Sequence, residues 1–323
     1  MSATIIYLSR EQVRDLAITP EEARMVVLAA FRDHAAGLNL SMPKVSIDIG
    51  PGRAFQSMSA ASHTDRIAAV KWVTVAPVPA GSVARGIQGI VIVSDLGTGE
   101  PVALMDGDEI TLIRTAAMSA TAAAHMAPKA PETIGMIGCG EQAFAHLSAF
   151  QCLFPGLRNL LAFSRSRSSA LRLVEAAQAR GLRASSVTDA DDLIGRSDIV
   201  ISMVPATAGL VPFLDARLLP ASSFVSAVDV GRSWLPESLP AFDRLVTDSL
   251  SQGSAPMGAD GRPVTTARFD ADLAEISTET PSSNARSHRS LFCFRGFALA
   301  DLALTKLILT RARQRGIGTV LPR

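Results

Sequence analysis

Apolar positions along the chain change their period twice. Residues 5–8 form a short apolar run of strand length. Ala23, Val27, Ala30 and Phe31 then recur at helical spacing. The helix they predict has a strong start in Thr19-Pro20-Glu21-Glu22, with Thr19 as cap, Pro20 at the first helical position and Glu22 closing a capping box; Gly37 ends it. From Ser41 to Met105 the period falls to two. Strands are predicted at 45–49, 54–59, 68–75, 89–94 and 101–105, with Gly50-Pro51-Gly52 as a turn and Leu96-Gly97-Thr98-Gly99 closing a hairpin. Consecutive strands on short links predict a mainly antiparallel sheet in an α+β arrangement. Asp108 is expected to cap an alanine-rich helix from 109 to about 126, which Pro128 and Pro131 break.

Beyond residue 130 strands and helices alternate. Strands are predicted at 133–137, 159–164, 184–187, 198–203, 224–228 and 244–247, with helices near 141–150, 168–180 and 190–194. Such alternation implies a parallel, doubly wound sheet. Residues 253–262 and 281–290 are polar and are expected to be surface loops. A long final helix at 297–316 carries a stripe of Leu299, Leu302, Ala303, Lys306, Leu307 and Leu309; the pattern leaves open which domain it joins.

The stretch Thr133 to Ala143, TIGMIGCGEQA, gives the second half its chemistry. A buried strand runs into a glycine turn and then a helix. Gly138 lets the chain turn off the strand, and Gly140 lets a pyrophosphate approach the main chain. Glu141 and Gln142 open a helix whose N–H groups face that anion, and Ala143 allows close packing of helix on strand. The next apolar run ends in Ser164-Arg165-Ser166-Arg167. An NAD-preferring site wants a carboxylate there. Hydroxyls and guanidiniums suit a 2′-phosphate, so NADPH is the expected cofactor, with NADH possible. Met203, Val204 and Pro205 at one strand end, with Val228 at another, are expected to line the nicotinamide side. The expected fold class is therefore α/β: a Rossmann-type dinucleotide domain plus an α+β domain, divided at 128/129.

The bulk numbers exclude other classes. A formal net charge of +1 over 323 residues argues against nucleic acid or an anionic membrane as partner. No apolar run is long enough to span a bilayer, no secretory leader opens the chain, and the three cysteines have no metal spacing, so a cytoplasmic enzyme is expected. The five histidines form no metal-binding pattern, and no metal is expected.

Four stretches taken in order carry a family resemblance. They are Asp95-Leu96-Gly97-Thr98-Gly99, Ala103-Leu104-Met105-Asp106-Gly107, Thr111-Leu112-Ile113-Arg114-Thr115-Ala116-Ala117 and Ile137-Gly138-Cys139-Gly140-Glu141-Gln142-Ala143. With the closing Gly316-Ile317-Gly318-Thr319, the chain resembles the ornithine cyclodeaminase/mu-crystallin family. The resemblance implies a homodimer built through a first domain (1–128, joined by the C-terminal helix at about 298–323). It also implies a dinucleotide domain at 129–297, an active site in the cleft between domains, and small α-imino or α-amino acids as substrates.

An α-imino acid needs its carboxylate clamped. Arg114, in the family-matching RTAA stretch, is the expected clamp, because guanidinium pairs with carboxylate through two bonds. Lys71 lies in a strongly apolar strand. The resemblance implies that it contacts the substrate and favours a protonated, electrophilic iminium. Lys44 stands where the family often has an arginine as second carboxylate contact, and Gln56 and Met58 match positions lining the pocket. Gln56 replaces a glutamate of the cyclodeaminases. Their general-base aspartate, counted back from Glu237, falls on Gly231; Asp229 is two residues early. Asp229 is thus a candidate proton donor or ribose contact, or equally a cap for the following segment. These departures favour a reductase of cyclic imino acids such as Δ1-pyrroline-2-carboxylate or Δ1-piperideine-2-carboxylate, yielding L-proline or L-pipecolate. The alternatives are a cyclodeaminase that recycles NAD+, an alanine-dehydrogenase-like enzyme on open-chain imines, and an NADPH- and ligand-binding protein without turnover.

Overall fold

In the computed structural model, which describes residues 4–76, 86–205, 207, 209–279 and 288–323, β1 (Thr4–Leu8) is followed by two helices, α1 (Arg10–Asp15) and α2 (Pro20–Ala35). Both begin with full capping boxes, Ser9 with Gln12 and Thr19 with Glu22. Six strands follow: β2 (Asn39–Ser41), β3 (Val45–Asp48), β4 (Ala54–Ser62), β5 (Ile67–Val75), β6 (Ile87–Asp95) and β7 (Pro101–Asp106). They lead into α3 (Gly107–Met126). Asp106, not Asp108, receives the first free N–H groups of α3: its Oδ1 accepts from the backbone of Asp108 and Glu109 at 3.1 and 2.9 Å. Asp108 instead accepts from Gly89 N–H of β6 at 2.8 Å.

The alternating region supplies β8 (Thr133–Ile137), α4 (Glu141–Leu153), β9 (Asn159–Phe163), α5 (Arg167–Gln178), β10 (Arg183–Ser186), α6 (Ala190–Gly195), β11 (Ile199–Ser202), β12 (Ser223–Ala227) and β13 (Arg244–Thr247). Three further elements, absent from the periodicity, follow: β14 (Ala271–Asp272), α7 (Leu273–Thr278) and β15 (Arg289–Cys293). Of the loop expected at 281–290, residues 281–287 lie outside the described residues. The chain closes with α8 (Ala298–Arg315) and β16 (Thr319–Pro322).

The chain divides into two units, Met1–Met118 with Gly296–Arg323, and Ser119–Arg295. The division falls inside α3 rather than at the proline-bounded link that follows it. From Ser119 onward the helix bonds within the second unit: Ser119 accepts from Ser226 at 2.8 Å, and the Met126 carbonyl accepts from Ser290 at 3.1 Å.

In the first unit the sheet runs β16-β1-β7-β6-β5-β4-β2, with β3 on β4. Every pairing is antiparallel except β1 with β7. α8 packs on α2, β4 and β5. The inward face reads Ile67, Ala69, Lys71, Val73 along β5, all buried. In the second unit every pairing in the sheet β10-β9-β8-β11-β12-β15-β13-β14 is parallel. The strand order reverses direction about β8, which makes the carboxyl ends of β8 and β11 the switch point where such sheets take ligands. Among the described residues no helix is long and apolar enough to cross a membrane.

Candidate active site

Lys71 sits in mid-strand on β5. Register places it beside Met58 and Val91, and the same row continues through Met105 to Leu8. All four of those neighbours are buried and apolar, and Lys71 itself is only 2% exposed. An ammonium there requires partners. Its Nζ donates to Asp301 Oδ1 at 2.7 Å and to Thr111 Oγ1 at 3.2 Å. Burial brings the ammonium down to about 8; the Arg114 charge pushes the same way, Asp301 opposes, and Lys44 adds to the lowering.

Arg114, one turn after Thr111 on α3, points its Nε at the same Asp301 oxygen, 3.3 Å away. Its guanidinium has room because residue 296 is a glycine with φ of +89°; a Cβ there would lie 3.2 Å from Nη1. Arg114 Nε and Asp301 Oδ2 are both buried without a hydrogen-bond partner. Two cations therefore share one carboxylate oxygen, and the trio carries a net positive charge in an apolar setting. An incoming carboxylate would balance that charge. Gln56 and Met58 lie on the inward side of β4, in step with Lys71, and half-buried Lys44 precedes β3.

Asp301 is the residue that sequence reasoning missed. Its signal was a lone carboxylate among Leu299, Ala300, Leu302 and Ala303 in the first turn of the final helix. A charge so placed needs a buried counter-ion.

The second unit builds the nucleotide cradle. Gly138 leaves β8 with φ of +90°, and a Cβ on it would stand 2.6 Å from the Met203 carbonyl oxygen. Gly140 caps α4 without a side-chain bond, and no atom lies within 4 Å of where its Cβ would be. Gln142 Oε1 is buried there without a partner, and Ala143 is fully buried. Glu141 is exposed on the first turn. An open space and uncapped helix N–H groups fit a dinucleotide pyrophosphate. After β9, Ser166 caps α5, and Arg165 and Arg167 are exposed beside Ser164. Met203, Val204 and Pro205 follow β11; Val204 packs on the core of this unit. Val228 N–H bonds to the Ser202 carbonyl at 2.9 Å.

Asp229 is buried and its oxygens are engaged. Ser202 Oγ and Gly231 N–H donate to Oδ1 at 3.1 and 3.2 Å, and Ser233 Oγ donates to Oδ2. Trp234 Nε1 in turn donates to Ser202 Oγ at 3.1 Å. This network holds a strained turn, because Val230, a β-branched residue, has φ of 56°. Burial raises the Asp229 carboxyl to about 6 against the pull of those donors. The folded chain thus binds its proton more tightly than the unfolded chain, so this group's contribution to stability declines as pH rises from about 4 to 6.

His146 in this unit is closed at both ring nitrogens. His146 accepts from Ser119 at 2.9 Å, donates to the Gln142 carbonyl at 2.8 Å, and is lowered to about 4 by burial. Burial also raises the Cys139 thiol to about 11, and that of Cys293 well above its ordinary value, which makes both poor nucleophiles. Among the described residues no three His, Cys, Asp or Glu side chains gather to hold a metal ion.

Comparison with known proteins bears on both units. Residues 5–253 match the model of the ornithine cyclodeaminase/mu-crystallin family. A Δ1-pyrroline-2-carboxylate reductase of Bacillus cereus is 28% identical over 261 residues, covering 77% of this chain and 78% of that protein. The Thermococcus litoralis Δ1-pyrroline-2-carboxylate reductase, solved with NADH and L-proline, superposes with a TM-score of 0.87 at 24% identity over 98% of this chain and 99% of that one. An archaeal alanine dehydrogenase dimer with bound NAD superposes with a TM-score of 0.85, also at 24% identity, over 99% of each chain.

Proposed function

The chain belongs to the ornithine cyclodeaminase/mu-crystallin family, and from that premise we propose that it is an NADPH-dependent reductase of small cyclic α-imino acids. The observation that carries this reading is the buried pair Lys71 and Arg114 on one oxygen of Asp301, which leaves one positive charge in excess in an apolar setting. Such a centre accepts a carboxylate. Arg114 and Lys71, with Lys44, hold the substrate's carboxylate and draw electron density from its imine carbon. Gln56 and Met58 shape the pocket around the ring; a neutral amide at 56 offers no charge to a free side-chain amine, which favours imino acids over ornithine.

In the second unit Gly138, Gly140, Glu141, Gln142 and Ala143 hold the pyrophosphate, Ser164, Arg165 and Ser166 hold the 2′-phosphate, and Met203, Val204, Pro205 and Val228 flank the nicotinamide. The exposed side chains of Arg165 and Arg167 suit an anion. The nicotinamide, when bound, supplies the hydride that becomes the new C–H bond at the imine carbon. The C=N π pair returns to the nitrogen, which already carries a proton, and water protonates the resulting amine. Asp229, whose oxygens are engaged, acts as a strut for the turn after β12. Three free cysteines accord with a reducing cytoplasm.

The enzyme works as a homodimer through the outward face of the first unit's sheet. Phe55 stacks on Trp72 there, with ring centroids 5.6 Å apart, and Trp72 is 42% exposed. Val45, Ile47 and Ile92 extend the exposed apolar patch. Light scattering is expected to give twice the chain mass for the wild type and a single chain mass for Trp72→Glu; a monomeric wild type refutes this interface.

Steady-state assays with NADPH and NADH across pyrroline-, piperideine- and open-chain imino acids test the function. The expected result is highest kcat/KM for a cyclic imine with NADPH. Ammonia release from ornithine without added cofactor would instead mark a cyclodeaminase. Tight NADPH binding with no turnover on any imine would mark a binding protein.

A further inference from the structure

Asp301 serves neither the nucleotide cradle nor the carboxylate grip directly, yet both cations of the grip converge on it. It lies in the first turn of α8, 2% exposed, and α8 packs against β5, which bears Lys71. Its Oδ1 takes the Lys71 ammonium at 2.7 Å and stands 3.3 Å from Arg114 Nε, while Oδ2 is without a partner. Two like charges brought together in an apolar interior repel one another and favour loss of the lysine proton. One buried anion between them opposes both effects.

We propose that Asp301 is the positioning residue of this centre, holding the Lys71 ammonium charged and beside the Arg114 guanidinium so that both grip one substrate carboxylate. The proposal rests on the reductase reading only for its kinetic consequences. The charged groups acting on Lys71 are Asp301 from α8, Arg114 from α3 and Lys44 ahead of β3; Thr111 of α3 adds a neutral acceptor. Asp301 is the one anion in that set. With it, burial and the two like charges bring the Lys71 ammonium down to about 8, while Asp301 opposes them. Without it, burial and the two like charges act unopposed.

The test is Asp301→Asn, with Asp301→Glu as the charge-preserving control. The chain has four lysines, Lys44, Lys71, Lys129 and Lys306, so a protein labelled with ¹³C at lysine Cε gives few signals, and Lys71→Met assigns the one that matters. Asp301→Asn is expected to lower the Lys71 titration midpoint by ~1 unit or more. The basic limb of the kcat/KM profile should move to lower pH by the same amount, roughly a fivefold loss at pH 8 for a one-unit shift, shrinking as the pH is lowered. NADPH affinity should stay unchanged, and Asp301→Glu should restore the midpoint. A Lys71 midpoint in folded Asp301→Asn that matches the wild type overturns the proposal. If Asp301→Asn does not fold, Asp301→Glu decides: a shift of its kinetic limb and midpoint to lower pH, despite the retained charge, overturns the proposal, and a wild-type midpoint supports it. If the wild type reduces no imine, the reductase reading fails, while the lysine titration still judges Asp301 by itself.

Discussion

Arg114→Ala is expected to lower kcat/KM for the cyclic imino acid by ~2–4 kcal/mol of transition-state binding, roughly 30- to 1000-fold. The guanidinium is 7% exposed, so its bonds to a carboxylate form away from water, where they are strongest. Removing it leaves Lys71 and Asp301 as a neutral buried pair, so folding is expected to survive. NADPH affinity should be unchanged, because the residues assigned to the nucleotide belong to the second unit. Steady-state kinetics with a fluorescence titration of NADPH check both parts. A kcat/KM within threefold of wild type removes Arg114 from the site.

Gly138→Ala should be at least as damaging, and for a different reason. The residue has φ of +90°, and its new Cβ would meet the Met203 carbonyl oxygen at 2.6 Å. Left-handed backbone and overlap with main-chain atoms together cost about 3 kcal/mol or more. The second unit should melt at a clearly lower temperature, and NADPH binding should weaken by more than about 100-fold as the turn shifts. Gly140→Ala makes the contrast. Its Cβ enters open space, so the unit should fold normally, but the methyl group occupies the approach needed by the phosphates. Wild-type stability and NADPH affinity in Gly138→Ala would refute this view of the turn.

Much of the fold was legible because local signals agreed with one another. β8 and the turn through Gly138 and Gly140 were marked by an apolar run, two glycines and a helix start in succession. The antiparallel sheet followed from period-two runs on short links, and Lys71 was conspicuous as a charge inside one of them. What stayed hidden depends on distant parts of the chain. β15 enters the interior of the second sheet, between β12 and β13, yet its five residues, Arg289–Cys293, carry no helix-strand rhythm of their own. Asp106 and Asp108 are both plausible caps in sequence; only the approach of Gly89 N–H, from a strand laid down earlier, decides which one turns away from the helix. Asp301 was hidden for the same reason. Its role comes from Lys71 and Arg114, 230 and 187 positions earlier in the chain, and no local pattern couples them. The division inside α3 is likewise a matter of which turns of one continuous helix find partners in which unit.

The most direct measurement is the stoichiometry of the purified enzyme with NADPH and Δ1-pyrroline-2-carboxylate. One L-proline formed for each NADPH oxidised, with Arg114→Ala slowed as above, is the expected result. Absence of NADPH oxidation with the pyrroline, piperideine and open-chain imino acids alike, at enzyme concentrations that bind the cofactor fully, would contradict an imine reductase built on an anion-gripping centre.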